Sequence, residues 1–404
     1  MSLDLTYTAL QIDYMSENIK IHRENHIARI SKALEKIDSF DIDHHKARIK
    51  NSLGMFNWNI PRISLDSFNK FNAHEFPQDY YVVSTDGSHI DVDRHMPANC
   101  YLINIGSCIL KYGNNSFATL NSIPNLYAEY QDLIISDREN QSKSVLVRGA
   151  ILSAKRMLEE LKALTKLVKE IDNDIPILAL MDGSLIMLDL IGQTHPEFVK
   201  KELVQHGFVE LLDKIHELSK RKKLLLASYI SLPKSAEVIN SLRVSNCSFN
   251  EIHCDLNCSK IIPGNRSCDD TSNQIIDREV FSEYLSPGQR SGTFQIDIDL
   301  VNDYYLENQI HFFYLNTGHE IARIEIPQWI EEREELLNLT HSLILNQCKL
   351  GHGYPVSLME AHEQAVITSS DRNHFVRMIE SALDHNGVPT YTSEKNLSKR
   401  LRWV

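Results

Sequence analysis

The sequence predicts an α/β protein with a mixed central sheet flanked by helices and a helical arm at its N-terminus. Two observations carry the central sheet. An apolar run ending in Asp-Gly-Ser occurs twice, as Tyr81-Val82-Val83-Ser84-Thr85-Asp86-Gly87-Ser88 and as Ile175 through Leu180-Met181-Asp182-Gly183-Ser184. β-Branched and apolar residues favour a buried strand in each, and glycine supplies a turn to end it. Between the copies lies a long helical pattern, so the chain runs strand–helix–strand around one sheet.

In chain order, Leu5 to Phe40 is helical, with Leu10, Tyr14, Ile19, Ile27, Ile30 and Leu34 spaced mostly by three to five. This arm is a packing or dimerisation element, and Asn57 to Arg62 is an irregular lead into the core. Cys100–Leu110 and Ser116–Leu120 form two further strands, paired antiparallel with the Asp86 strand. A helix over Ser144–Ile171 follows, with the stripe Val147, Ile151, Ala154, Leu158, Leu161 and Val168. At about 100° per residue, Glu160 flanks that stripe while Glu159 points away from it. Most glutamates on such a helix are solvated, so Glu160 is preferred on its face alone and Glu159 is the fallback.

A helix over Glu197–Ser219 leads to the basic run Lys220-Arg221-Lys222-Lys223 and the strand Leu224–Ser231. Charge runs are usually a solvated face; beside Tyr229 and Lys234 this one is also a candidate phosphate-contacting edge. Gly292–Ile298, Gln309–Leu315 and Glu320–Ile326 are strands, the last broken by Pro327. Helices over Trp329–Asn346, Val356–Ile367 and Arg372–Asp384 close the chain. His362 lies on the second of these, and a lone helical histidine is ordinarily a satisfied core or surface residue.

A carboxylate at a strand end is usually a turn residue, because Asp bonds its own following backbone. Two at equivalent strand ends are different. Adjacent carboxylates repel unless a proton or a cation sits between them, and hard divalent cations take oxygen ligands of this type. Asp86 and Asp182 are therefore candidate metal ligands at the mouth of the sheet.

The 404 residues, 42% hydrophobic and 24% charged, are ordinary for a globular chain. A net charge of −12 argues against coating nucleic acid by bulk electrostatics, but not against a local basic channel. Seven cysteines without a repeated short spacing suit a reducing compartment. Met1-Ser2-Leu3-Asp4 lacks the regions of a signal peptide, and Asp182 interrupts the longest apolar run; the expectation is a cytoplasmic protein without membrane contact. Cys247, His253, Cys254, Cys258 and Cys268 crowd a Gly/Asn/Asp-rich segment, yet the spacing is not that of a zinc ribbon or finger, and reduced loop thiols are the expectation. There is no P-loop and no dinucleotide fingerprint, which argues against an intrinsic ATPase or a dinucleotide enzyme, and there is no nucleophile elbow.

Taken in order, Thr85-Asp86-Gly87-Ser88, Leu180 to Leu185, Tyr229 to Ser235, Gly288-Gln289-Arg290-Ser291, Ile321 to Trp329, and Tyr354-Pro355 through His362 resemble the NurA nuclease family, partners of HerA-type hexameric DNA translocases in end resection. The resemblance covers about Tyr80 to Phe375. It implies an RNase H-like core over residues 76–404, with residues 1–75 as the helical arm. It further implies a homodimer and a manganese-dependent site, with magnesium as the alternative ion. The family's acidic residues map onto Asp86, Asp182 and the Glu159-Glu160 pair, its active-site tyrosine onto Tyr229 and its C-terminal histidine onto His362. His319 is a lesser rival to His362. The implied activity is a metal-dependent DNA exonuclease, with single-strand endonuclease activity in addition, working beside a HerA-type ATPase.

Two other readings stand beside it. One is a metal-dependent phosphatase or RNase; the aspartyl-phosphatase form wants a second Asp two residues from the first, where Ser84 and Ser88 stand. The other is an inactive nucleic-acid-binding scaffold, which would lack one of the carboxylates.

Overall fold

The computed structural model describes residues 3–52, 58–91, 97–172, 174–192 and 194–389. Met1, Ser2 and Asn57, named above, lie outside them. The chain divides into two compact units. One comprises residues 74–230, 299–310 and 325–404, and the other residues 1–73, 231–298 and 311–324.

In the first unit, β1 (Tyr80–Ile90) pairs antiparallel with β2 (Tyr101–Tyr112), and β2 with β3 (Phe117–Tyr127). A helix, α1 (Ala150–Glu170), then carries the chain across to β4 (Ile177–Asp182), which lies parallel on the other side of β1. Beyond it β5 (Leu224–Ile230) lies parallel to β4. The order β3-β2-β1-β4-β5, with three antiparallel strands followed by two parallel ones, is that of an RNase H-like core. Burial explains the composition of each strand. β4 and β5 are covered on both faces and are almost continuously apolar, as parallel strands must be. β3 is an exposed edge.

Three helices lie near the C-terminus of this unit: α2 (Glu334–Leu350), α3 (Val356–Ala365) and α4 (Ser369–His385). α3 lies directly against the sheet. A Cβ at Gly106 of β2 would come within 2.2 Å of the Ala361 carbonyl oxygen and 2.4 Å of the Ala365 nitrogen. The sheet also satisfies the orphan carbonyls at the end of α3. Asn104 Nδ2 donates to the oxygens of Gln364 and Ala365 at 3.1 and 3.0 Å, and Ser88 Oγ donates to Ala365. Ser84 Oγ is fastened to Ser357 Oγ at 2.8 Å. The position of His362 is set by these contacts.

In the other unit, the N-terminal helix Leu5–Asp38 packs only its last turns. Ala33 and Ile37 join Ile239, Leu242, Ile275 and Val280 in an apolar cluster. Short strands at Arg62–Ile63, Phe294–Gln295 and Ile310–Asn316 pair antiparallel, and Lys70–Asn72 pairs with Gln289–Ser291. Buried Asp277 accepts from the Val238 and Ile239 amides and the Tyr314 hydroxyl. Among the described residues no helix is long and apolar enough to cross a membrane.

Several expectations change. The predicted helix from Ser144 starts only at Ala150, because Ser144–Leu146 pairs with Ile134–Ser136 as a small hairpin. Of the strand predicted over Gly292–Ile298 only Phe294–Gln295 forms, and Gln289–Ser291 is a separate strand before it. Between them Gly292 is pressed against Asp66, whose carbonyl oxygen would lie 1.9 Å from an added Cβ. Pro327 is the last residue of its strand and caps the next helix. The helix predicted over Glu197–Ser219 is present, with a π-helical stretch at Lys201–Val209.

The Gly106 contact yields a prediction. Gly106→Ala forces α3 off the sheet and should cost about 1–3 kcal/mol, the usual cost of overpacking, read as a lowered denaturation midpoint. A midpoint equal to wild type would show that α3 does not rest on β2 at this point.

Candidate active site

The sheet register brings the two Asp-Gly-Ser segments together. The parallel ladder between β1 and β4 ends at Thr85 opposite Met181, and the next residue on each strand is Asp86 or Asp182. Asp182 in turn stands opposite Tyr229 of β5. The two glycines have different jobs. Gly183 adopts φ 83°, the turn that ends β4. Gly87 was expected to end its strand too, but β1 continues through it to Ile90. What Gly87 permits is contact: a Cβ there would lie 2.5 Å from Glu160 Oε1 and 3.1 Å from Arg156 Cγ of α1.

Helix α1 thus lies on the strand at this point and turns Glu160 inward. Thr85 Oγ1 donates to the Glu160 carbonyl at 3.0 Å, and Glu160 is 4% exposed. Glu159 points elsewhere and pairs with Lys162 at 3.4 Å. Between the acids sits Arg156. Its Nη1 is 2.5 Å from Glu160 Oε1, 4.0 Å from Asp86 Oδ1, and donates to the Gly87 carbonyl at 2.8 Å. From α3, His362 Nδ1 reaches Asp86 Oδ2 at 2.7 Å, while most of its ring remains exposed. The Tyr354 hydroxyl bonds the Asp182 carboxylate.

Electrostatics follow from this crowding. Burial raises the Glu160 carboxyl from 4.5 to about 8; Arg156 opposes the rise, and the nearby Asp86 and Asp182 carboxylates reinforce it. Asp182 is raised too, first by desolvation although part of the residue meets solvent, with the Tyr354 bond pulling the other way.

Asp86, Glu160, Asp182 and His362 are brought together, and Tyr229 lies beside them in register. Tyr229 is fully buried, its ring edge-on to Tyr354 with centroids 5.2 Å apart, so it has no free face for stacking on a base. His319 belongs to the other unit. Three of the four residues of the basic run make structural contacts, and Arg221 is exposed. Lys222 caps the end of α1 through the Val168, Lys169 and Ile171 carbonyls, Lys223 pairs with Glu335 at 2.6 Å and Lys220 with Glu217. Sequence reasoning missed Arg156 and Tyr354. Arg156 lies four residues before Glu160, a spacing that pairs side chains along a helix and could have revealed it. Nothing local marks Tyr354 as the partner of Asp182.

The raised Glu160 predicts a pH effect. The folded, metal-free protein holds this proton between pH 4.5 and about 8, where the unfolded chain has released it. Because the folded state then binds more protons, stability falls as pH rises through that window, by at most about 1.4 kcal/mol per pH unit. Denaturation series in EDTA should show a slope that is steeper in wild type than in Glu160→Gln, since buried Asp277, raised to about 7, contributes the same sign to both. An equal slope in both would contradict the burial argument.

A family model for the NurA domain matches residues 81–367. No curated protein matches the chain significantly. Among solved structures, the NurA nuclease from Sulfolobus solfataricus is similar at 14% identity and TM-score 0.48, over 93% of this chain and 98% of that one. A structure of NurA with manganese is similar at 13% identity and TM-score 0.33, over 87% and 98%. LC9-RNase H1, a type 1 RNase H with the type 2 active-site motif, matches at 8% identity and TM-score 0.23, over 42% and 71%. Because the family model spans well over half of its length, the chain belongs to the NurA family of nucleases.

Proposed function

We propose that the protein is a metal-dependent deoxyribonuclease that degrades DNA ends, with residues 76–404 as its nuclease domain and residues 1–75 as an arm. The observation that carries this reading is the convergence of Asp86, Glu160 and Asp182 at one end of the sheet, on a fold whose family consists of nucleases. In this reading it works as a homodimer in the cytoplasm, beside a HerA-type hexameric ATPase that supplies the translocation which a chain without a P-loop cannot supply.

The donor set suits a hard divalent ion. Three carboxylates offer oxygen ligands, and the cation that now offsets them is the Arg156 guanidinium. Among the described residues no three such side chains stand at ligating distance from one point, so Glu160 must exchange Arg156 for the ion. Asp86, Glu160 and Asp182 would hold it, with His362 as a further ligand or as a proton carrier; manganese is the expected ion and magnesium the alternative. When bound, such an ion supplies Lewis acidity that offsets charge building on the scissile phosphodiester and acidifies water.

The chain's own residues do the rest. With His362 Nδ1 held by Asp86, its Nε2 is left to move a proton at the exposed mouth of the site. Tyr354 fixes the rotamer of Asp182, and Tyr229 supports Tyr354 from below. Arg156 also stands beside Asp86 and Gly87, where its charge would favour an approaching phosphate.

End-labelled single- and double-stranded DNA, incubated with manganese, magnesium or EDTA, tests this. Wild type should degrade DNA only with the metal, and Asp86→Ala and Asp182→Ala should abolish cleavage while remaining folded. His362→Ala should lose about 10²–10⁴-fold, the worth of one positioned proton carrier. Cleavage surviving in Asp86→Ala would overturn the site. DNA binding without cleavage, even after a HerA-type ATPase is added, would overturn the nuclease reading.

A further inference from the structure

The ladder between β1 and β4 stops before β1 does. Thr85 is the last residue of β1 paired with β4, and β1 runs on to Ile90. Backbone groups two residues apart on a strand turn to the same edge. The Tyr81 amide donates to the Pro176 carbonyl at 2.8 Å, just ahead of β4, so the odd-numbered residues of β1 face the β4 side. Once β4 has turned away at Gly183, the carbonyls of Gly87 and His89 stand on an open edge that starts at the acid cluster.

Arginines line this edge. Helix α1 runs back along β1, with Glu160 at Thr85 and Gly149 at Asp91. Its Arg156 Nη1 donates to the Gly87 carbonyl at 2.8 Å. Arg372 Nη2, from the first turn of α4, donates to the His89 carbonyl at 3.4 Å. Two residues further on, the Asp91 carboxylate accepts from the Gly149 amide at 3.0 Å, which sets Arg148 beside the end of β1. Three arginines thus follow one strand edge, at Gly87, His89 and Asp91. Arg372 lies beyond the residues that the family model matches.

The two outer charges are not cancelled. Among the described residues Arg148 and Arg372 form no ion pair, and both are exposed. The neighbouring acids are engaged otherwise. Asp371 closes the cap of α4, accepting from the Thr368 amide and hydroxyl at 2.9 and 2.7 Å. Asp91 keeps its second carboxylate oxygen buried. His89 is half-buried beside the arginines; burial first, then Arg156 and Arg372, lower its pKa, while Asp91 opposes them.

In a chain of net charge −12, such a row is a local place for a polyanion, and guanidinium forks suit phosphate. Each step of the row is two strand residues, about 6.6 Å. That is wider than the ~3.4 Å rise per nucleotide of a stacked duplex, and it suits an unstacked, extended strand.

We propose that Arg156, Arg372 and Arg148 form a track that holds successive phosphates of one extended DNA strand as it leads to the acid cluster. The proposal rests on the nuclease reading above and adds the path of the strand to it. Arg372 and Arg148 bind substrate away from the bond that is cut.

Equilibrium binding of a labelled single-stranded oligothymidine to the full chain tests this, in EDTA so that nothing is cut, across a salt series. Arg148→Ala and Arg372→Ala should each weaken binding by about three- to tenfold at low salt. Each should also flatten the slope of log K against log salt by about 0.7, the share of one phosphate contact on a single strand. Arg377→Ala, at an exposed arginine of the same helix, should change neither, and Arg372→Lys should restore the slope. With manganese, the two alanine variants should raise KM and leave kcat unchanged. Affinity and slope equal to wild type in both would overturn the track, as would a wild type that does not bind the strand; cleavage by wild type would still uphold the nuclease reading. Weakened binding in the variants of a protein that never cleaves would keep the track and overturn that reading instead.

Discussion

Like charges resist being put together, and this fold puts three of them together. Asp86 and Asp182 follow the last rung of one parallel ladder, and Glu160 is pressed down on them by a helix. In water such a cluster would fly apart or take up protons. Here the sheet fixes two of the three backbones, so the groups respond by holding a proton on Glu160 and by drawing in Arg156. The close contact at Gly87 exists because α1 must come within reach, and that at Gly106 because α3 must bring His362 over Asp86. Each glycine is a place where a side chain would separate the acids from their partners.

This arrangement stores readiness rather than stability. A buried, protonated glutamate with an arginine at its edge is a poor structural element, since an apolar residue of similar shape would serve packing as well or better. It makes sense as a place that exchanges one cation for another. Tyr354 bonds Asp182 and His362 bonds Asp86, which limits the rotamers open to both acids.

Much of this was legible in the sequence, for local reasons. Apolar runs of β-branched residues declare buried strands, and the 3.6-residue stripe of α1 chose Glu160 over Glu159 on its face alone. What could not be read depends on partners distant in the chain. Gly87 looks like a turn glycine until α1 lies on it. Lys222 looks like a surface charge until the end of α1 arrives beneath it. Tyr354 meets Asp182, and Ser248 meets Ser267, only because loops fold back, and no periodicity encodes that. The strand split around Gly292 has the same origin: the neighbouring Asp66 backbone, not local propensity, sets it.

The central claim is that the acid cluster is a cation site now occupied by an arginine. It is tested most directly by the anomalous scattering of manganese in crystals of the full chain. A peak is expected among the carboxylates of Asp86, Glu160 and Asp182, with the Arg156 guanidinium moved off Glu160. A manganese peak elsewhere, or none in crystals of protein that cleaves DNA with manganese in solution, would contradict it.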